Sequence, residues 1–112
     1  MSLLGIDVGT TGCKSVSFNE NGREISRSYR EYNILRPEPG AAELDVEDIW
    51  SKTRATIAEA AAGASSAGDP VSALAVTSMG EAVVPVDRQG QVTGPSLLSL
   101  DARGSEFTKD RN

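Results

Sequence analysis

The chain has no histidine and only one cysteine, Cys13, and these two shortages close several routes at once. No internal disulfide can form, a zinc site is disfavoured, and Ser-His-Asp or Cys-His catalysis has no imidazole to work with. A general base would have to be a carboxylate, a lysine or a tyrosine. Cys13 itself reads as a small buried apolar side chain. Positive charge is also short: 11 lysines and arginines against 16 acids leave a net charge of −5. That leaves no basic footprint for a nucleic acid or an anionic membrane. No apolar run reaches transmembrane length, and Met1-Ser2-Leu3-Leu4 lacks the basic and apolar regions of a signal peptide. A cytoplasmic protein without nucleic-acid or membrane partners is the expectation. Aromatics are scarce at 4%, while 38% hydrophobic and 24% charged residues are ordinary for a globular protein. A length of 112 residues allows one domain with a modest core.

What is present is concentrated in Leu3-Leu4-Gly5-Ile6-Asp7-Val8-Gly9-Thr10-Thr11-Gly12-Cys13-Lys14. It opens as a buried-strand pattern and ends in a turn of glycine and threonine. Asp7 is the one acid in the apolar run, and a lone carboxylate on a buried strand is costly unless paired, hydrogen-bonded or bound to metal. Gly9, Thr10, Thr11 and Gly12 offer backbone N–H groups and two hydroxyls suited to a phosphate, and Lys14 adds positive charge. Asp7 could then hold Mg2+, which prefers carboxylate and water oxygens and travels with nucleotide phosphates. The alternative is an Asx-type contact in an ordinary hairpin. The P-loop pattern is not met, because no glycine stands in the required place before Gly12-Cys13-Lys14. The G-x-G-x-x-G fingerprint is missing too, with Val16 and Phe18 alternating with serines to predict a second strand where a helix would follow.

Further along, Asn19-Glu20-Asn21-Gly22 is a hairpin turn, with Asn21-Gly22 suited to positive φ. Residues 23–32 predict a third strand, polar on both faces and so near an edge. Arg36-Pro37-Glu38-Pro39-Gly40 is a loop. A helix is predicted from an Asp45 N-cap, with Val46, Ile49, Trp50, Thr53, Ile57, Ala60, Ala61 and Ala64 along one face and Trp50 as a core anchor. It ends in the small-residue stretch 63–70. Residues 71–77 form an apolar strand, expected to return to the sheet in parallel. Residues 82–87 are a further strand at an edge or with a bulge, because Pro85 cannot donate to a ladder. Residues 95–100 are a last extended piece.

The motif Asp7-Val8-Gly9-Thr10-Thr11-Gly12-Cys13-Lys14 resembles the first phosphate motif of the actin-like ATPase superfamily. Glu43-Leu44-Asp45-Val46-Glu47-Asp48-Ile49-Trp50, after a Pro-Gly loop, is similar to the acidic segment that leads into a helix in FGGY-type carbohydrate kinases. Residues 1–112 thus resemble the amino-terminal part of the FGGY amino-terminal actin-like domain, with the carboxyl-terminal domain absent. The fold implied is α/β and ribonuclease H-like: an incomplete domain with a mixed β-sheet, a β-hairpin phosphate turn and a flanking helix. The resemblance implies ATP and Mg2+ as cofactors, with Gly9, Thr10, Thr11, Gly12 and Lys14 around the phosphates and Asp7 on the metal through water.

On the substrate side, the resemblance points to Met79, Gly80, Glu81 and Asp101. Glu81 matches the glutamate of an Arg-Glu pair that holds polyol hydroxyls in glycerol kinases, whereas xylulokinases carry Met-His there. Gly80 replaces the arginine, which argues against glycerol itself. A carboxylate suits a polyol because it accepts charge-assisted bonds from two hydroxyls. Ser99-Leu100-Asp101-Ala102-Arg103 follows the family's Trp-x-Asp-x-Arg with Ser99 for the tryptophan, so the pocket loses a flat wall. Asp101 and Arg103 read equally well as a structural ion pair. The family's general base lies downstream, so the full-length enzyme, with a homodimer left open, would phosphorylate a sugar or polyol while this segment alone is expected to be inactive. A non-catalytic nucleotide- or phosphate-binding module and a plain interaction domain are the rivals.

Overall fold

The computed structural model describes residues 1–108, which form two compact units: residues 1–32 with 47–79, and residues 33–46 with 80 onward. In the first unit, β1 (Ser2–Val8), β2 (Gly12–Phe18), β3 (Glu24–Glu31) and β5 (Val71–Ser78) make a four-stranded sheet in the order β3-β2-β1-β5. The hairpins β1–β2 and β2–β3 are antiparallel, while β5 joins β1 in parallel after the helix α1 (Val46–Ser66). The mixed sheet and the edge position of β3 are as expected. The second unit carries a small antiparallel sheet, β4 (Glu43–Leu44), β7 (Ser96–Leu98) and β6 (Ala82–Val83), in the order β4-β7-β6.

The sheet of the first unit has one face packed on α1. Leu4 and Ile6 from β1 meet Ala60 of α1, with Val8, Ile57 and Val71 around them. On β2 the residues facing α1 are Cys13, Ser15 and Ser17, all at 0% exposure. Their hydroxyls are satisfied: Ser15 Oγ and Thr56 Oγ1 lie 2.9 Å apart, and Ser17 Oγ donates to the Ser26 carbonyl at 3.4 Å. Small side chains on both partners bring helix and sheet close, which is why the buried helix residues are Thr53, Thr56, Ala60 and Ala64.

Trp50 corrects the expectation of a core anchor. It is 57% exposed, with the Arg54 guanidinium 6.0 Å from its ring centroid. The narrow gap between α1 and the serines of β2 has no room for an indole, and the stripe of threonine and alanine occupies it. Two further expectations change. The strand predicted for residues 82–87 stops at Val83, with Val86 joined to Val92 by a single bridge. Of the pair Asn21-Gly22, Gly22 alone takes positive φ, at 76°, because Asn19 Oδ1 accepts from the Asn21 and Arg23 N–H groups and closes the turn.

The helix end is a Schellman arrangement. Gly68 has φ 78°, its N–H donates to the Ser65 carbonyl at 3.0 Å, and the Asp69 N–H donates to Ala64 at 3.0 Å. This termination turns the chain back into β5, which runs alongside β1 so that the Met79 N–H donates to the Val8 carbonyl at 2.9 Å. The carboxyl ends of β1 and β5 therefore share one edge of the sheet, where open α/β sheets place their ligands.

Candidate functional site

Residues 9–11 connect β1 to β2 at that edge, and the loop closes through the Gly9 N–H on the Gly12 carbonyl at 2.9 Å. The Gly9 N–H is thus engaged within the hairpin, while Thr10 and Thr11 stand exposed at its tip. Neither Gly9 nor Gly12 uses a left-handed backbone. Gly12 is required for space: a Cβ there would lie 2.5 Å from Tyr29 Oη and 2.7 Å from the Arg30 carbonyl.

Asp7 is exposed, contrary to the expected burial, because its side of β1 is the sheet face away from α1. The desolvation cost that singled it out therefore does not apply among the described residues. What distinguishes Asp7 is its place in a row across the sheet, with Lys14 of β2 on one side and Thr77 of β5 on the other. Tyr29 of β3 extends the row beyond Lys14. This face holds a concavity of about 460 Å³ that Asp7, Lys14 and Thr77 line together with Gly5, Val16 and Phe18. Among the described residues no cluster of three or more His, Cys, Asp or Glu side chains forms a ready metal site. A divalent ion at Asp7 would take its other ligands from phosphate and water, which is how Mg2+ is usually bound. The exposed carboxylate fits that donor set.

The residues expected on the substrate side divide. Met79 ends the first unit. In the second, Gly80, Glu81 and Asp101 line a separate concavity of about 440 Å³ with Val83, Leu97 and Arg103. Glu81 is exposed, and its carbonyl accepts the Ser99 N–H at 3.1 Å. Asp101 is different, because its carboxylate is already occupied. Oδ2 accepts from the Ala42 N–H at 3.0 Å and from Arg103 Nη2 at 2.6 Å, and Oδ1 accepts the Arg103 backbone N–H at 3.0 Å. The Arg103 guanidinium, with the Ala42 N–H next, holds the Asp101 carboxyl far below the usual carboxylate range. Arg103 also reaches Glu43 at 2.5 Å and Glu38 at 3.1 Å. These bonds to Asp101, Glu43 and Glu38, in that order, push its guanidinium further up. The structural ion pair is present, with two further acids.

The sequence assigns no site role to Tyr29, Tyr32 or Glu38, and places Glu43 only in the acidic segment 43–50. Tyr29 and Tyr32 are the chain's two tyrosines, and both meet the turn. The Tyr32 hydroxyl donates to the Gly9 carbonyl, and its N–H donates to Thr11 at 3.2 Å. No local spacing signals contacts that cross 23 positions of chain.

A mixed sheet whose first hairpin presents a glycine–threonine turn beside an aspartate and a lysine is the actin-like ATPase arrangement, here in part. Residues 2–110 match the FGGY family of carbohydrate kinases, N-terminal domain, and the chain belongs to that family. It is 32% identical over 106 residues to a glycerol kinase of Chromobacterium violaceum, covering 94% of this chain and 21% of that protein. It is 39% identical over 104 residues to glycerol kinase 2 of Streptomyces avermitilis, covering 92% and 20%. Among solved structures, the xylulose kinase from Rhodospirillum rubrum superposes with a TM-score of 0.89 at 30% identity, over 99% of this chain and 23% of that one. Plasmodium falciparum glycerol kinase with ADP shares the fold at a TM-score of 0.81 and 20% identity, over 99% and 22%. The chain spans about a fifth of the length of the relatives it matches. Among the described residues no helix is long and apolar enough to cross a membrane.

Proposed function

We propose that the full-length protein is an ATP-dependent kinase acting on a sugar or polyol hydroxyl, and that residues 1–112 are the opening part of its amino-terminal actin-like domain. The observation that carries this is the row Lys14–Asp7–Thr77 beside the glycine–threonine turn, in a chain of the carbohydrate-kinase family. Thr10, Thr11, Gly12 and Lys14 receive the phosphates, and Asp7 holds Mg2+ through water. Bound there, the ion would neutralise phosphate charge, and Lys14 supports the same charge from the neighbouring strand. Asp7 is kept for metal, because its place beside the turn suits that work. A base from outside this segment takes the hydroxyl proton. Glu81 accepts hydrogen bonds from two substrate hydroxyls. The relatives named for glycerol and xylulose make polyols and ketoses the first substrates to try.

The test couples ADP release by the full-length protein to a panel of pentuloses, hexuloses, polyols and sugar acids. Turnover that disappears in Asp7→Ala, with a raised KM for the acceptor in Glu81→Ala, is the expected result. MgATP binding without turnover on any acceptor would favour a binding module, and failure to bind nucleotide would reduce the hairpin to plain structure.

A further inference from the structure

We infer that Tyr32 is a positioning residue for the phosphate turn, gripping both ends of the loop 9–11 so that it meets nucleotide phosphates already ordered. This rests on the proposed reading of that turn as a phosphate cradle.

Tyr32 directly follows β3 and is 5% exposed, so its side chain is packed against the protein and closed to solvent. Its hydroxyl donates to the carbonyl of Gly9, the first loop residue, and its backbone N–H donates to the carbonyl of Thr11, the last, at 3.2 Å. One residue thus fixes the first and last of the three carbonyls of a loop whose glycine would otherwise sample many backbone states. The Met79 N–H on the Val8 carbonyl, at 2.9 Å, steadies the strand end just before it. Gly12, the residue after the loop, is held against Tyr29, where a Cβ would come within 2.5 Å of the hydroxyl. Loop residues that must be ordered on binding lower affinity, so a brace built into the free protein raises it. Burial first, then the neighbouring Cys13, Asp7 and Tyr29, pushes the phenol up to about 12, so Tyr32 stays a donor at neutral pH.

The experiment titrates MgADP into the full-length protein by calorimetry, comparing the natural sequence with Tyr32→Phe, Tyr32→para-aminophenylalanine and Asp7→Ala. Thermal melting and amide exchange of residues 9–12 are followed in parallel. Tyr32→Phe removes one hydrogen bond, so Kd should rise about three- to tenfold. Exchange of the free loop should quicken, and the aminophenylalanine, which restores a donor, should bring both back. A Tyr32→Phe protein that binds MgADP normally while Asp7→Ala binds weakly overturns the inference and leaves the phosphate reading standing. Unchanged binding in Asp7→Ala as well overturns both. Weaker binding that tracks a lowered melting temperature, without rescue by the donor analogue, makes Tyr32 merely structural and also overturns the inference.

Discussion

Gly63 separates two effects of opposite sign. It lies in the last quarter of α1, where replacing glycine by alanine in a free helix gains up to about 1 kcal/mol. In this fold, however, a Cβ on Gly63 would stand 2.1 Å from Ser26 Oγ and 2.6 Å from Ser26 Cβ. A hydroxyl can rotate away, but a Cβ is fixed to its backbone, so either α1 or β3 must shift. Overpacking of this kind costs about 1–3 kcal/mol, and the fixed Cβ puts the cost in the upper half of that range. The net expectation for Gly63→Ala is a loss of about 1–2 kcal/mol. It should appear as a lowered midpoint for the urea transition that includes the first unit of the full-length protein. Ser26→Gly removes both obstructing atoms. In that background Gly63→Ala should be neutral or stabilising, which gives a coupling of similar size in the double-mutant cycle. A Gly63→Ala protein as stable as the natural one in both backgrounds would refute the close approach of α1 to β3.

Gly12→Ala places a Cβ 2.7 Å from the Arg30 carbonyl, a backbone atom that cannot rotate away, so the hairpin should open, with lost MgADP affinity in calorimetry and a melting temperature lower by several degrees. Thr53 Oγ1 is buried without a hydrogen-bond partner among the described residues, so Thr53→Val should leave stability unchanged or raise it by about 1 kcal/mol, read from urea midpoints. The Asp101 carboxyl is depressed in the folded state, first by Arg103 and then by the Ala42 N–H. Its contribution is therefore complete above the ordinary carboxylate range and is lost as pH falls through and below that range. Asp101→Asn should flatten the acid limb of a melting-temperature profile between about pH 5 and 2, and an unchanged limb would place the acid sensitivity elsewhere.

Much of the fold was open to reading because it follows local rules. The β1–β2–β3 meander came from two turns and an alternating pattern, and α1 begins at Val46 directly after Asp45, as expected. The parallel return of β5 followed from a long helix between strands. The errors share a cause. Hydrophobicity ranks tryptophan above threonine as a core residue, yet the gap over Ser15 and Ser17 selects for size and for paired hydroxyls. A pattern of apolar positions cannot report a close approach set by small polar residues on the other partner. Asp7 illustrates the same limit from the other side. Its strand is apolar enough to look buried on both faces, and the structure buries one.

The two candidate regions differ in how much of them a sequence can carry. The proposed phosphate turn is contiguous, so the residue types of positions 7–14 suggest it, and the structure adds what braces it from a distance. The proposed substrate side is assembled from three stretches, around residues 38–43, 80–83 and 97–103. There the sequence names charged residues but not their duties. Asp101 and Glu81 are both acids near motif positions, yet one has its oxygens filled by Ala42 and Arg103 while the other stands exposed. A carboxylate whose oxygens already accept the Ala42 N–H, the Arg103 N–H and the Arg103 guanidinium must give up such bonds to take a hydroxyl, and each loss leaves a donor unsatisfied. An exposed carboxylate gives up only water. On the proposed reading, this asymmetry favours Glu81 over Asp101 for the hydroxyl contact, Asp101 being already bonded to Arg103. Accordingly, Glu81→Gln should raise the KM for the acceptor with melting unchanged, whereas Asp101→Asn should lower melting first. The reverse order of effects in those two variants would return Asp101 to the pocket as a ligand.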